Sequence, residues 1–319
     1  MIKRISAFAF FILFLSCTES WATHASLGGG SGHTGPITTV SAATSEAGRW
    51  GLDLETEFIS YDSFSDEKLA EFAGQGRDVH TADHLQMYSL GLSYGITDSL
   101  AVHLRLPYIF RDNISSSEPP DEVDHHGDSR GFGDLSIHLH QRLFRSEHGD
   151  FQVTLIAGVG IPTGKTSERD AQGKTFAAEF QPGSGAWDPS LGISVTKYFD
   201  RLSFDGNVLY TLVTKGAQDT DMGDIFNYNL ALSYRALLRP LALDLIGELN
   251  GIWLAKEKAR GEKDSNSGGN IILFSPGIRV SLAKGFMFYA SYGVPVVQNW
   301  NGIQNDVDYR LVFGINFVM

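Results

Sequence analysis

The chain has 319 residues, 42% of them hydrophobic, with a mean hydropathy of −0.09 and a net charge of −12. A bundle of transmembrane helices is excluded, because no run of about 18 uncharged apolar residues follows the N-terminal region. The acidic balance, and the lack of any basic stretch interleaved with aromatic residues, argue against nucleic acid as a partner. The 35 glycines and 21 phenylalanines instead favour strands joined by turns.

The N-terminus has the parts of a secretory signal peptide. Lys3 and Arg4 precede an apolar core, and Ser20-Trp21-Ala22 supplies small residues for cleavage after Ala22. We therefore predict a signal peptide over residues 1–22 and export from the cytoplasm. The alternative is a lipoprotein signal in which Cys17 carries the lipid. With ordinary cleavage the only cysteine of the chain leaves with the signal, so the mature chain has no disulfide.

Residues 23–48 are rich in glycine, serine and threonine and show no hydrophobic period. This composition favours a flexible periplasmic lead-in to the folded part of the chain. Two alternatives stay open for this segment. One is a small plug that folds into a pore, and the other is a weak metal tether that uses His24 and His33.

From Trp50 onward, apolar and polar residues alternate. Because side chains alternate across a strand, each such segment has one apolar and one mostly polar face. The pattern occurs twelve times and ends with Val307–Met319. The segments cover residues 50–58, 88–96, 100–110, 134–143, 151–161, 190–199, 202–212, 226–235, 241–253, 272–281, 286–294 and 307–319.

The connections between these segments alternate strictly in length. The short ones are 97–99, 145–150, 200–201, 237–240 and 283–285; the long ones are 62–84, 111–131, 162–187, 213–223, 254–268 and 297–305. Outer-membrane barrels have short periplasmic turns and longer external loops, whereas a soluble sandwich has no reason for this alternation. We predict an all-β fold over residues 49–319: a transmembrane antiparallel β-barrel of about twelve strands in a Gram-negative outer membrane. Its expected partners are outer-membrane lipid, lipopolysaccharide and the barrel assembly machinery.

The polar faces of these strands are predicted to line the lumen. Their charged residues and histidines are Asp53, Glu55, Glu57, His103, Arg105, Asp134, His138, His140, Arg142, Arg235, Asp244, Glu248, Arg279, Asp308 and Arg310. One interpretation is a network of charges that rigidifies the barrel, since buried charges need partners. The other is a water-filled channel whose opposed acids and bases orient polar solutes.

Histidines suggest two metal sites. His103, His138 and His140 point inward on neighbouring strands, where three imidazoles could reach one ion. The loop Glu118–Asp128 contains carboxylates beside His125 and His126, although such a run is more often a solvated loop. No cofactor is predicted. Enzymatic activity is not expected either, because the outward faces carry no histidine that could serve a lipid-facing hydrolase.

Four stretches together resemble the outer-membrane protein family associated with the meta-cleavage pathway of phenol degradation. They are Leu106-Pro-Tyr108, Gly131-Phe-Gly-Asp-Leu135, Gly158-Val-Gly-Ile-Pro-Thr-Gly-Lys165 and Gly183-Ser-Gly-Ala-Trp-Asp-Pro-Ser-Leu-Gly192. The resemblance extends over roughly residues 45–319 and implies a channel for passive passage of small aromatic or hydrophobic compounds. The glycine- and histidine-containing lead-in Leu27–Gly35 departs from this pattern. It leaves two alternatives: a metal-related envelope protein, or a structural barrel that does not conduct.

Overall fold

The computed structural model describes residues 35–118, 122–238, 241–282 and 285–319. The predicted signal peptide with Cys17, the candidate metal tether His24 and His33, and residues 119–121 of the acidic loop lie outside the described residues. No helix in the described part of the chain is long and apolar enough to cross a membrane.

Strands dominate the structure. They are β1 (Trp50–Asp62), β2 (Val79–Thr81), β3 (His84–Thr97), β4 (Leu100–Glu118), β5 (Glu122–Phe132), β6 (Leu135–Arg145), β7 (Phe151–Ile161), β8 (Asp188–Phe199), β9 (Leu202–Thr211), β10 (Thr220–Asp221), β11 (Ile225–Leu237), β12 (Ala242–Leu254), β13 (Lys258–Ala259), β14 (Glu262–Lys263), β15 (Gly269–Ser281), β16 (Phe286–Trp300) and β17 (Asp306–Val318). Helix α1 spans Asp66–Gly74, and two short 3₁₀ helices span Ala178–Phe180 and Ala217–Asp219.

Twelve of these strands form a closed antiparallel ring. Their order is β1, β3, β4, β6, β7, β8, β9, β11, β12, β15, β16 and β17, and β17 pairs again with β1. In that last pair, Leu52 lies opposite Phe317 and Gly51 opposite Val318. A closed ring leaves no strand edge to face lipid, where an unpaired backbone group would be costly. The predicted fold, a barrel of about twelve strands, is confirmed.

The outward side chains of the ring are large, apolar and exposed. They include Leu54, Leu191, Leu230, Leu249, Ile278 and Phe313, and the aromatic residues Trp50, Phe199, Tyr234 and Trp253 near strand ends. A soluble protein rarely exposes a continuous apolar belt of this kind, whereas a barrel in a bilayer requires one. The alternation in the sequence thus separates a lipid face from a lumen face.

The long connections carry structure of their own on the extracellular side. The segment 111–131, predicted as a loop, is a β-hairpin: β4 continues past the barrel to Glu118 and pairs with β5. The strand continues through three polar residues that the alternation did not predict as strand. They are Ser115, Ser116 and Ser117, which are buried and pair with β5. Helix α1 lies in the connection between β1 and β2, and its N-cap Ser65 accepts a hydrogen bond from Lys68 N.

Candidate functional site in the barrel lumen

Charged side chains on the inward faces pair with one another in the middle and periplasmic part of the lumen. The pairs are Arg105–Glu55 (2.9 Å), Arg310–Glu57 and Arg235–Asp244. The Tyr289 hydroxyl lies 3.1 Å from both Asp53 carboxylate oxygens and 3.0 Å from Glu55 Oε2. Buried charges are stable only with such partners. This part of the wall is therefore a connected polar network.

Residues 35–48, which we call the lumen segment, enter the barrel: residues 35–42 are buried in the lumen, and residues 46–48 are exposed at its periplasmic end. The backbone amides of Ile37, Thr38 and Thr39 donate hydrogen bonds of 2.9–3.1 Å to the carboxylate of Glu248. Glu248 lies at the middle of β12 and is 1% exposed. Three consecutive amides on one buried carboxylate make a strong anchor, since hydrogen bonds to a charged acceptor are about twice as strong as neutral ones.

The lumen segment continues from this anchor towards the periplasmic mouth. Its further contacts are Val40 N to Asn207 Oδ1 (2.9 Å), Ala42 N to Thr196 Oγ1 (2.8 Å) and Arg142 Nη1 to Thr44 Oγ1 (3.1 Å). Apolar contacts accompany them. Ile37 packs with Ile246, Tyr289 and Val312, and Val40 packs with Ile156 and Leu209. The segment is thus held in the lumen by polar and apolar contacts with several strands.

The extracellular half of the lumen contains a buried cluster of apolar side chains from β1, β3, β4, β12, β15 and β17. The cluster consists of Ile59, Leu85, Met87, Tyr108, Ile109, Ile252, Ile271, Leu273 and Val307. A cavity of about 180 Å³ adjoins it, with Met87 and Ile252 in its wall. Arg105, His138 and Asp188 add polar groups to the same cavity. The wall is apolar over most of its area but also contains other polar residues, such as Asp134, Gln181 and Ser190, so it suits a small and mainly apolar ligand that carries a polar group.

Asp134 fastens the long connection 162–187 over this cavity. Its carboxylate accepts hydrogen bonds from Gly164 N (2.8 Å), Ser184 N (2.8 Å) and Ser184 Oγ (2.7 Å). Gly164 and Gly183 meet back to back: a Cβ on Gly164 would lie 2.7 Å from the Gly183 Cα, closer than real Cβ atoms approach. Three of the four stretches that carry the family resemblance, all of them glycine-containing, therefore converge on one contact.

We expect Asp134→Ala to release this connection. Each hydrogen bond to a charged acceptor contributes about 1.5–3 kcal/mol, so the loss of all three is expected to raise local opening by well over tenfold. Hydrogen exchange at the amides of Gly164 and Ser184 measures this opening. Asp128→Ala is the control, because the Asp128 carboxylate accepts a hydrogen bond from Asn113 N and none from residues 162–187 in the described structure. Equal exchange in the two variants would contradict the prediction.

A second contact holds the 162–187 connection on the extracellular side. His80 hydrogen-bonds to Glu179 of the 162–187 connection, and its Nε2 lies 3.3 Å from Asp78 Oδ1. Burial alone would lower the pKa of His80, but the two carboxylates raise that pKa to about 10. His80 is therefore charged at neutral pH and holds β2 against the connection.

The three lumen histidines lie close together. His103 pairs with His138 across β4 and β6, and the ring centroids of His103 and His140 are 4.1 Å apart. His138 Nε2 lies 3.2 Å from the hydroxyl of Ser190. Among the described residues, a group whose metal-ligating atoms all lie within 4.8 Å of one another occurs in the extracellular loops and not at these histidines. The metal site predicted in the lumen stays a prediction.

The remaining lumen candidates occupy different places. Arg279 is buried, and Arg142 lies at the periplasmic mouth. Asp308 is exposed at a bulge, because the pairing of β1 with β17 shifts between Ser60 and Tyr61. Because of the same shift, the side chain of Val307 points inward and packs in the apolar cluster with Ile59. Alternation cannot reveal a bulge, since one extra residue reverses the faces.

The sequence-based set of candidates leaves out the uncharged residues that hold the lumen segment. Asn207 and Thr196 accept hydrogen bonds from its backbone, and Tyr289 links two acids of the wall. The alternation places Asn207 and Thr196 on inward faces, so the signal was present. Selection by charge alone missed them.

Comparisons with known proteins agree with this architecture. The family model described as "Putative MetA-pathway of phenol degradation" matches residues 68–299. An outer membrane channel from Pseudomonas putida F1 is similar in structure, with a TM-score of 0.59 and 16% identity over 87% of this chain and 97% of that chain. The CymD monoaromatic hydrocarbon channel has a TM-score of 0.42 and 11% identity over 86% and 88%. No curated protein matches the chain. At 16% identity the Pseudomonas putida channel shows the fold alone.

Proposed function

The chain belongs to the family described as "Putative MetA-pathway of phenol degradation", and we propose that it is an outer-membrane channel. Small aromatic or other hydrophobic molecules pass through it without an energy source. The channel fold favours transport over catalysis. The solute, the surrounding lipid and lipopolysaccharide, and the barrel assembly machinery are its proposed partners.

The apolar cluster in the extracellular half of the lumen is the observation that carries this proposal. Porins that pass polar solutes have a polar interior. Here Met87, Ile252 and Leu273 point inward from three strands, and each is 5% exposed or less. A hydrophobic solute gains free energy when such a wall removes its surface from water, at roughly 25 cal/mol per Å². A sugar or an ion gains nothing from the same wall.

We propose that the chain divides into a signal peptide (1–22), a lead-in (23–48) and the barrel (49–319). The described part of the lead-in is the lumen segment, and we assign it the role of a plug. Its anchor at Glu248 lies near mid-barrel, below the apolar cavity. A solute that enters from outside then reaches the cavity first and passes further only when the plug shifts.

Uptake of a radiolabelled monoaromatic hydrocarbon by cells that carry the chain in their outer membrane tests the function. We expect wild-type cells to accumulate the label faster than cells without the protein. Ile252→Asn places an amide in the cavity wall, and the cost of about 1–3 kcal/mol for an unpaired buried polar group predicts roughly tenfold slower uptake. Ile252→Val keeps the wall apolar and serves as the matched control. Uptake that is no faster with wild-type protein than without it would overturn the proposal.

A further inference from the structure

A second cluster of polar side chains lies in the extracellular loops, apart from the lumen. His126 of β5 turns its Nδ1 towards two carboxylates: Asp170 Oδ2 at 3.5 Å and Asp124 Oδ2 at 3.7 Å. A carboxylate oxygen of Glu118 belongs to the same group, in which one ligand atom each from Glu118, Asp124 and His126 lies within 4.8 Å of the others. The β4–β5 hairpin supplies three of these residues, and the 162–187 connection supplies Asp170.

Neighbouring groups fix the orientation of each side chain. His126 Nε2 lies 2.8 Å from the hydroxyl of the fully buried Ser116, which leaves Nδ1 to face the carboxylates. The other oxygen of Asp124 accepts from the Gln172 side chain at 3.2 Å. The other oxygen of Asp170 accepts from two backbone amides, Gln172 N at 3.0 Å and Lys174 N at 2.7 Å. Outer partners of this kind are typical of metal ligands.

The facing atoms of His126 and the two carboxylates lie too far apart for a normal hydrogen bond. The Asp170 side chain is 2% exposed, and the two backbone amides that donate to it both reach Oδ1, so that Oδ2 faces His126 Nδ1. The distances of 3.5 and 3.7 Å from His126 Nδ1 exceed the usual 2.7–3.2 Å of an N–H···O bond. They are close to the ~3.4 Å that separates two ligands at about 2.1 Å from a tetrahedral zinc ion. A cation between the imidazole nitrogen and the two carboxylates would contact all three groups at once.

We propose that Glu118, Asp124 and His126, whose ligand atoms lie within 4.8 Å of one another, bind a divalent transition-metal ion of the Zn²⁺ type, and that Asp170, 3.5 Å from His126 Nδ1, supplies a fourth ligand. One imidazole nitrogen and three carboxylate oxygens are a donor set that Zn²⁺ accepts, whereas Ca²⁺ takes oxygen ligands alone. The ion joins the β4–β5 hairpin to the connection that Asp134 and His80 hold over the lumen. The ion therefore adds a third contact that holds the 162–187 connection over the cavity. Binding of metal from outside the cell is expected to lower the mobility of this connection.

Calorimetric titration of the purified full barrel in detergent with Zn²⁺ tests the site. We expect one bound ion per chain in the wild type and a loss of affinity of at least roughly tenfold in His126→Ala. His125→Ala is the matched control, because His125 is the neighbouring residue on β5, its side chain is 57% exposed and its contacts are Ser115 and Asp66. Asp170→Asn keeps the shape of the side chain and is also expected to weaken binding.

Folding of each variant is checked by its heat-modifiable migration in electrophoresis. Ser116→Ala removes only the partner of Nε2, and we expect it to weaken Zn²⁺ by about 10- to 100-fold. Zn²⁺ is further expected to slow proteolysis within residues 162–187 of the wild type and to leave the His126→Ala rate unchanged. Equal Zn²⁺ affinity in wild type and His126→Ala, or no binding by the folded wild type, would overturn the proposal. Neither result affects the proposed passage of solutes, because the cavity wall contains none of these four residues.

Discussion

Replacement of Glu248 by alanine is expected to raise the fraction of time for which the pore conducts by about tenfold or more. The carboxylate accepts hydrogen bonds from three consecutive amides of the lumen segment. A hydrogen bond to a charged group contributes about 1.5–3 kcal/mol, and the loss of even one changes the equilibrium for plug release roughly tenfold. Single-channel recording in a planar bilayer measures the result directly.

Asn250→Ala is the matched control for this experiment. Asn250 lies two residues further along the same inward face of β12, but its hydrogen bonds go to Asn229 and Ser275. We expect its conductance to stay near that of the wild type. If Glu248→Ala and Asn250→Ala conduct alike, Glu248 does not hold the segment. If a chain that lacks residues 35–48 conducts no better than the wild type, the plug assignment fails.

Deletion of Phe317–Met319 is expected to block insertion of the barrel into the outer membrane. The backbones of Met319 and Trp50 exchange two hydrogen bonds, of 2.8 and 3.2 Å, where the last strand meets the first. Phe317 pairs with Leu52 and places its ring 4.4 Å from that of Phe286. Without these residues the ring has an open end, and each unpaired backbone group in lipid costs several kcal/mol.

The amount of heat-modifiable barrel in outer-membrane fractions measures this second effect. Met319→Ala is the control, because it keeps both backbone hydrogen bonds and removes only an exposed side chain. We expect near-normal amounts of the control and almost none of the deletion variant. Normal levels of folded barrel after the deletion would show that the closing pairs are dispensable.

The barrel itself was predictable from the sequence, because the signals that specify it are local. Alternation along Leu202–Leu212 or Leu241–Trp253 separates the two faces of one strand without reference to any other part of the chain. The strict alternation of short and long connections then orients the barrel. The exceptions are also local in origin: the serines at 115–117 extend β4 beyond the predicted strand end, and a bulge beside Ser60 exposes Asp308.

The contents of the lumen were less predictable, because they depend on residues far apart in the chain. Glu248 belonged to the predicted wall, but its role depends on Ile37–Thr39. Asp134 also belonged to the predicted lumen wall, yet its carboxylate holds Gly164 and Ser184. The glycine-rich stretches gave the one available hint, since two glycines are required where Gly164 and Gly183 touch.

The position of the lumen segment also constrains the route by which the protein folds. Ile37 and its anchor are separated by 211 positions in the sequence, and Val40 and Asn207 by 167. Contacts of such high contact order form late, because the entropy of closing a long loop precedes any gain from them. The acceptors on β8, β9 and β12 come together only as the sheet curls. The seating of residues 37–42 is therefore expected to follow, or to accompany, the closure of the ring, as a slow final phase of refolding.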